Sequence, residues 1–502
     1  MLKLNSWKWI ILILLVVIFY FPVFLKLDSQ VLREWDEPRN AINAVEMYQN
    51  HNFITRFFDG EPDMWEVKPP FLVWLQVLSM KIFGINELAV RFPSAFATFC
   101  LLFFLVYYFY KSQSAPVIGI YSAFILVTSL GYMGWHVSRT GDHDSLLSLF
   151  MLLYVLAFYS LLYENDPKKK IRKTYLFFFF LFLAFFTKSV ASLMFLPALG
   201  LFALINKKIK IIFTHKHTYI ALFTFILFVF FYYYLRELHS PGYLKIVWNE
   251  EWFPRYFNAS KVFKEEPFLY YYNNMHENRF YPWILFLIPA FVLQFFTVPK
   301  LHKSFYVYIS LCIVFFLAII SKGSKNFWYD APAYPLMAIH IAGVFYFTSL
   351  KLLSGFKLNL KWSQTILMVL IPFIFYIPYR KVVSQNINQL ENTNGVSYYA
   401  IPYVLREMQE SKLNLQTPLH IVYENYTGHI LFYVKALEVE KGIKDISFKS
   451  KENIIQGDRI IVSQSHVEEF LKENFETHKI HSAHGANVYE IIGKVPILPK
   501  KD

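Results

Sequence analysis

The feature that most constrains this chain is a succession of apolar runs of about 20 residues, separated by short basic connections. Lipid offers no partner to open backbone groups, so such runs cross a membrane as helices. At 1.5 Å per residue, about 20 residues match a hydrocarbon core about 30 Å thick. Runs of this kind fall at 7–27, 89–110, 115–134, 145–163, 174–187, 190–206, 217–235, 281–298, 304–321, 331–350 and 363–380. They predict a mainly α, polytopic membrane protein with about 11 transmembrane helices. Charged residues make up only 17% of the 502, against about a quarter in soluble domains.

The net charge of +13 does not imply a nucleic-acid partner, because the cations cluster in loops. Lys168, Lys169, Lys170, Arg172 and Lys173 fill one connection, and Lys207, Lys208, Lys210 and Lys216 the next. Lys300 with Lys303, and Lys351, Lys357 and Lys361, fill later ones. With the N-terminus cytoplasmic, these clusters occupy alternate, inner loops, as the positive-inside rule requires. The expected location is therefore a plasma (inner) membrane. The first loop (28–88), the turn at Asp142, a second loop (236–280) and the tail (381–502) then lie on the outer face. The segment 174–206 is where a miscounted span would shift this parity. The run Trp9 to Phe24 exceeds a signal-peptide core and is read as a retained span. Cys100 and Cys312 sit in separate apolar runs, as small core residues.

Two domains are expected: a transmembrane catalytic domain over 1–380 and an outer-face α/β domain over 381–502. In the tail, apolar stretches shorten to strand length at His420–Tyr423, Arg459–Val462 and Asn487–Ile492, with a helix at Val467–Asn474 between the last two. In the first loop, Pro38 suits a first helical turn, capped by Asp36 or Glu37. Ala41, Ala44, Val45 and Tyr48 then share one face, opposite Arg39, Asn43, Glu46 and Asn50. That pattern predicts a juxtamembrane helix lying on the membrane surface. A second juxtamembrane helix is expected from Pro70 to Gly84; its apolar run of about 14 residues is too short to span. The second loop is rich in acids and aromatics, from Trp248 to Trp252 and through Glu265, Glu266 and Tyr270–Tyr272.

The chemistry is expected in the first loop. Asp36 and Glu37 are adjacent carboxylates that cap a helix on the plainest reading. With Arg39 and Lys68 in the same loop they become a candidate site, in which a carboxylate orients an acceptor hydroxyl or takes its proton. The turn Ser138–Asp144 adds Asp142 and Asp144, expensive at bilayer depth and so candidate functional groups rather than a plain solvated turn. His143 between them invites a metal, the weaker alternative on a single histidine; no cofactor or metal is assigned. Lys188 has no loop around it, and is either a snorkelling lysine or a phosphate ligand. Lys322, Lys325 and Arg279 are further cations on the outer side. Fixed positive charge there stabilises a departing phosphate.

Asp36-Glu37-Pro38-Arg39, Lys68-Pro69-Pro70 and Glu87–Ser94 resemble motifs of the bacterial GT-C glycosyltransferases. The likeness is to the lipid A aminoarabinose transferases and their kin in the protein O-mannosyltransferase superfamily. Arg139–Asp144, Thr187-Lys188, Glu266-Pro267, Tyr271-Tyr272, Pro282-Trp283 and Tyr329–Pro335 follow in the same order. The resemblance covers about residues 5–350 and implies an inverting transferase using a polyprenyl-phosphate (undecaprenyl-phosphate) sugar donor on the periplasmic face. It implies an envelope acceptor: lipid A, another glycan or a protein hydroxyl. It gives Asp36 the role of base or acceptor-orienting group and makes Asp144 the second-loop acid, with Asp142 its neighbour. Arg39, Lys68, Lys188 and Tyr329 take donor phosphate and sugar positions. Two positions depart: Asn40 stands where an aromatic is common, and Trp328 where a basic residue is, with Lys325 the nearest cation. An O-antigen ligase or polymerase would place its working residues in a large later loop, and a transporter would show inverted repeats. The acids crowding the first loop disfavour the former, and no inverted repeat is seen for the latter; both remain the alternatives.

Overall fold

The structure is a computed structural model and describes residues 6–112, 115–252, 266–323, 325–388 and 396–495. Glu265 and much of the second expected loop lie outside the described residues. The chain divides into two compact units. One comprises Met1–Leu25, Asp63–Leu72 and Phe92–Asn386, and the other Lys26–Pro62, Val73–Arg91 and Ile387–Asp502. The last long helix, Leu360–Asn388, runs beyond 380, and the first loop is shared between the units.

The first unit is a helical membrane body. Seven helices among the described residues are long and apolar enough to cross a bilayer, from Glu87–Ser112 to Leu360–Asn388. An eighth crossing arises if the bent pair Tyr270–Arg279 and Ile284–Thr297 counts as one span. The protein is thus a multi-pass membrane protein. All eleven expected runs are helical, but three form shorter apolar helices: Trp9–Phe24, Pro116–Val127 and Leu196–Ile205. Twelve residues of helix reach about 18 Å, short of the hydrocarbon thickness, which is what hydropathy alone does not reveal.

Polar stitches fix this unit where two helices meet. Thr98 and Ser145 share a 2.6 Å hydrogen bond, Ser145 Oγ donates to the Ser94 carbonyl, and Ser94 Oγ donates to the Asp142 carbonyl at 2.7 Å. Small hydroxyl residues allow close helix approach and bind across it in lipid. Arg139 donates to the carbonyls of Pro22, Val23 and Leu25, closing the C-terminal end of Ser6–Phe24. These bonds position the turn that carries Asp142 and Asp144.

The second unit contains a five-stranded sheet in the order Ile446–Phe448, Leu419–Ile421, Arg459–Val462, Ala486–Lys494, Phe475–Ala483. The first three strands run parallel, and the last two join antiparallel. Its core joins sheet and helix residues such as Ile421, Ile461 and Leu437 to Ile42, Val45 and Met47 of the first-loop helix Asp36–Asn50. That helix is therefore not a surface helix with a solvated polar face. Asn40, Asn43 and Glu46 are buried with the apolar positions. Asn43 donates to the Phe57 carbonyl, and Glu46 accepts from Gly60 N–H and pairs with Lys435. A 3.6-residue pattern cannot tell a membrane surface from a protein partner that meets the polar face as well. The helix Phe71–Phe83 forms as expected and ends at Gly84, whose φ of +82° only glycine adopts freely.

Burial gives this unit an acid sensitivity. His429 is fully buried against the Tyr398 ring and bonds to the Tyr398 carbonyl at 3.0 Å. Burial pushes the imidazole down from 6.5 to about 4, the carbonyl acting the other way. The unfolded chain binds the extra proton first, so the contribution is whole above pH 6.5 and is lost as pH falls towards about 4. Its ceiling is about 3 kcal/mol. Thermal unfolding of the protein in detergent between pH 7.5 and 4.5 is expected to show a steeper acid loss for wild type than for His429→Gln.

Candidate active site

The second unit holds the first-loop acids, and their environments differ. Glu37 is fully buried; its two carboxylate oxygens take Arg91 Nε at 2.7 Å and Nη2 at 3.0 Å, and Oε2 also accepts the Arg33 N–H. Arg91 spends its remaining donors on the carbonyls of Leu27, Gln30 and Val31. Glu37 is thus tied to Arg91 at the entry to the helix. Replacing it by Gln leaves a buried guanidinium without its counter-charge, and is expected to destabilise the protein by about 3–5 kcal/mol. Denaturant unfolding in detergent measures that loss.

Asp36, one residue earlier, is partly exposed in the first helical turn. Its side chain makes no hydrogen bond or ion pair among the described residues. Arg39 carries its guanidinium over the Phe58 ring at 5.0 Å.

The first unit holds the second-loop acids. Asp144 opens the helix Asp144–Leu162, and both its oxygens take Lys188 Nζ at 2.7 Å. Lys188 ends the helix Pro167–Lys188, and Ser189 then leaves the helix with a φ of +44°. Lys188 is buried, so it does not snorkel. Its ammonium lies 5.1 Å from the centre of the Tyr329 ring, a cation–π contact. Asp144, Lys188 and Tyr329 are therefore brought together. Lys68 pairs with Glu66 at 3.1 Å, and Lys325 donates to the Glu266 carbonyl at 2.6 Å.

Arg279 has a different part. It donates to Asp330 at 2.9 Å and to the Gly131 carbonyl at 3.1 Å, while Tyr334 donates to the same carboxylate. Burial pushes the Asp330 carboxyl up, against the pull of Arg279. Arg279 thus pins two connections together.

Asp142 faces His136, whose Nδ1 lies 3.0 Å from Oδ2. Burial acts to raise the Asp142 carboxyl, but His136 and then Thr140 outweigh it and hold it below the usual carboxylate range. The His136 ring stacks on Trp328 at 3.7 Å and has a φ of +66°. The sequence reading passed over His136, Glu66 and Asp330 as separate groups. His136 sits six positions before Asp142, outside any motif that could have marked it.

The helical unit thus carries buried acid–base pairs, and the sheet-bearing unit carries a partly exposed acid. Residues 67–234 match the dolichyl-phosphate-mannose-protein mannosyltransferase family. The fold aligns with ArnT from Cupriavidus metallidurans bound to undecaprenyl phosphate. The TM-score is 0.72 at 13% identity, over 97% of this chain and 98% of that one. An uncharacterised protein of Aquifex aeolicus is 24% identical over 378 residues, 74% of this chain and 70% of that protein. The undecaprenyl phosphate-alpha-4-amino-4-deoxy-L-arabinose arabinosyl transferase of Yersinia pestis (strain Pestoides F) is 28% identical over 163 residues. That match takes in 32% of this chain and 28% of the transferase. The chain has an ArnT-like fold.

Proposed function

We propose that this protein transfers a sugar from an undecaprenyl-phosphate donor to an envelope acceptor on the periplasmic face, with inversion at the anomeric carbon. One observation carries the reading. Of two neighbouring acids, Glu37 is consumed by Arg91, whereas Asp36 keeps a partly exposed, uncommitted carboxylate. An acid spared from structural pairing suits a group that meets an acceptor.

In this mechanism the acceptor oxygen attacks C1 of the donor sugar and the C1–O bond to phosphate breaks. Asp36 takes the acceptor proton, and polyprenyl phosphate leaves with the bonding pair. Lys188 supplies the positive charge that stabilises the leaving phosphate, with Asp144 fixing its ammonium and Tyr329 contacting it. Lys68, Arg39 and Lys325 are secondary donor-binding groups. An acceptor that is already an ionised phosphate needs no base, and Asp36 then orients it. The N-terminus is cytoplasmic in this reading, and the C-terminal unit periplasmic.

Mass spectrometry of envelope glycolipids and glycoproteins from cells with and without the protein tests the reading and identifies the acceptor. One component is expected to lose a single sugar mass in the deleted strain. An unchanged envelope contradicts the proposal.

A further inference from the structure

The residue before Asp36 stands out. Trp35 is 61% exposed, with a backbone of φ 74° and ψ −100°. Positive φ is a genuine outlier for so bulky a side chain, and such strain persists only where the surrounding structure enforces it. Here the C-terminal half of the same unit enforces it. The Tyr426 ring stacks on the indole at 4.9 Å and 16°, and Tyr426 Oη donates to the Trp35 carbonyl at 3.0 Å. Behind Tyr426 comes His429, at 6.4 Å and 22°, and His429 itself stacks on Tyr398 at 4.1 Å and 13°. An exposed indole is thus fixed, on a column of parallel rings, next to the uncommitted acid.

We propose that Trp35, backed by Tyr426, is a stacking platform for a pyranose ring of the acceptor, so that the acceptor is a glycan or a glycolipid headgroup. A pyranose with equatorial hydroxyls presents a face of axial C–H groups. That face is apolar and slightly positive, and it suits the electron-rich face of an indole. Its hydroxyls project from the rim, where one meets the neighbouring Asp36 carboxylate. A membrane-interface anchor is the other use of an exposed tryptophan. Anchoring needs neither a strained backbone nor a ring column, and Trp65, 72% exposed, has a backbone φ outside the positive region. The fixed geometry therefore favours a sugar. A protein hydroxyl as acceptor would leave the platform without a use. The proposal rests on the reading of Asp36 as the acceptor-facing group.

Saturation-transfer NMR on the full chain in detergent tests the platform without requiring turnover. Cellobiose serves as the gluco-configured probe and sorbitol as the open-chain control. Wild type is expected to saturate the axial ring protons of cellobiose and to leave sorbitol silent. Trp35→Ala is expected to weaken that signal by about tenfold, and Trp35→Phe to retain part of it. Undecaprenyl phosphate binding, followed on the same samples, is expected to stay unchanged and reports that the variants are folded. Equal signals from wild type and Trp35→Ala overturn the platform, as does absence of signal from wild type. Saturation passing from Trp35 to detergent or lipid protons instead makes Trp35 an interface anchor and also overturns it. Failure of sugar transfer from the polyprenyl donor, with Trp35-dependent cellobiose binding intact, sinks the catalytic reading and leaves the platform standing.

Discussion

Asp36→Asn is expected to lower sugar transfer by about a thousandfold, within the range for a positioned general base, while the protein stays folded. The substitution keeps the shape of the side chain and removes only its charge and proton affinity. Asp36 makes no ion pair among the described residues, so stability is expected to stay within about 0.5 kcal/mol of wild type. The neighbouring Glu37→Gln gives the reverse pattern, a large loss of stability through Arg91. The kinetics also separate two roles for Asp36. A base for a hydroxyl acceptor lowers kcat and leaves KM alone, whereas a group that orients an ionised acceptor raises the acceptor KM. Wild-type turnover in Asp36→Asn removes the residue from the mechanism altogether.

The second large effect belongs to Lys188 and Asp144. Each alone is a buried charge, and they meet at 2.7 Å. Asp144→Asn or Lys188→Met leaves the partner uncompensated, and each is expected to destabilise the protein by about 3–5 kcal/mol. The double variant, neutral at both positions, is expected to recover most of that stability, because the stranded charge is gone. Transfer is not expected to return with it, because the cation for the leaving phosphate is still missing. Unfolding midpoints and donor turnover on the three variants test this. A double variant that regains both stability and transfer makes the pair purely structural.

Much of the helical body was legible because lipid imposes a simple rule on length and hydropathy. All eleven apolar runs are helical, while the lengths of Pro116–Val127 and Leu196–Ile205 escaped it. Apolar residues continue through a break such as Thr128 or Phe195, and only backbone geometry marks the interruption. In the tail, the strands Leu419–Ile421, Arg459–Val462 and Ala486–Lys494 were readable from their apolar residues. The edge strands Ile446–Phe448 and Phe475–Ala483 were not. The first is three residues long, and the second is mostly polar and exposed, as edge strands are.

The candidate groups divide along similar lines. Asp144 and Lys188 stood out as charges beside apolar runs, and they meet in space. Glu37 and Arg279 stood out equally, yet each is tied to a partner far along the chain, Arg91 and Asp330. Sequence shows that a charge is expensive, but not whether structure or chemistry spends it. His136 was hidden for a related reason. Its partner Asp142 was noticed, but the intervening turn that brings them together has no periodic pattern to read.

The decisive measurement is turnover of purified protein with a synthetic undecaprenyl-phosphate sugar and an envelope extract, followed by mass spectrometry of the lipid. Wild type is expected to release undecaprenyl phosphate in step with the appearance of one acceptor carrying one added sugar, and Asp36→Asn to release almost none. An intact donor after incubation with wild type, or equal release by Asp36→Asn, contradicts a glycosyltransferase that works through this acid.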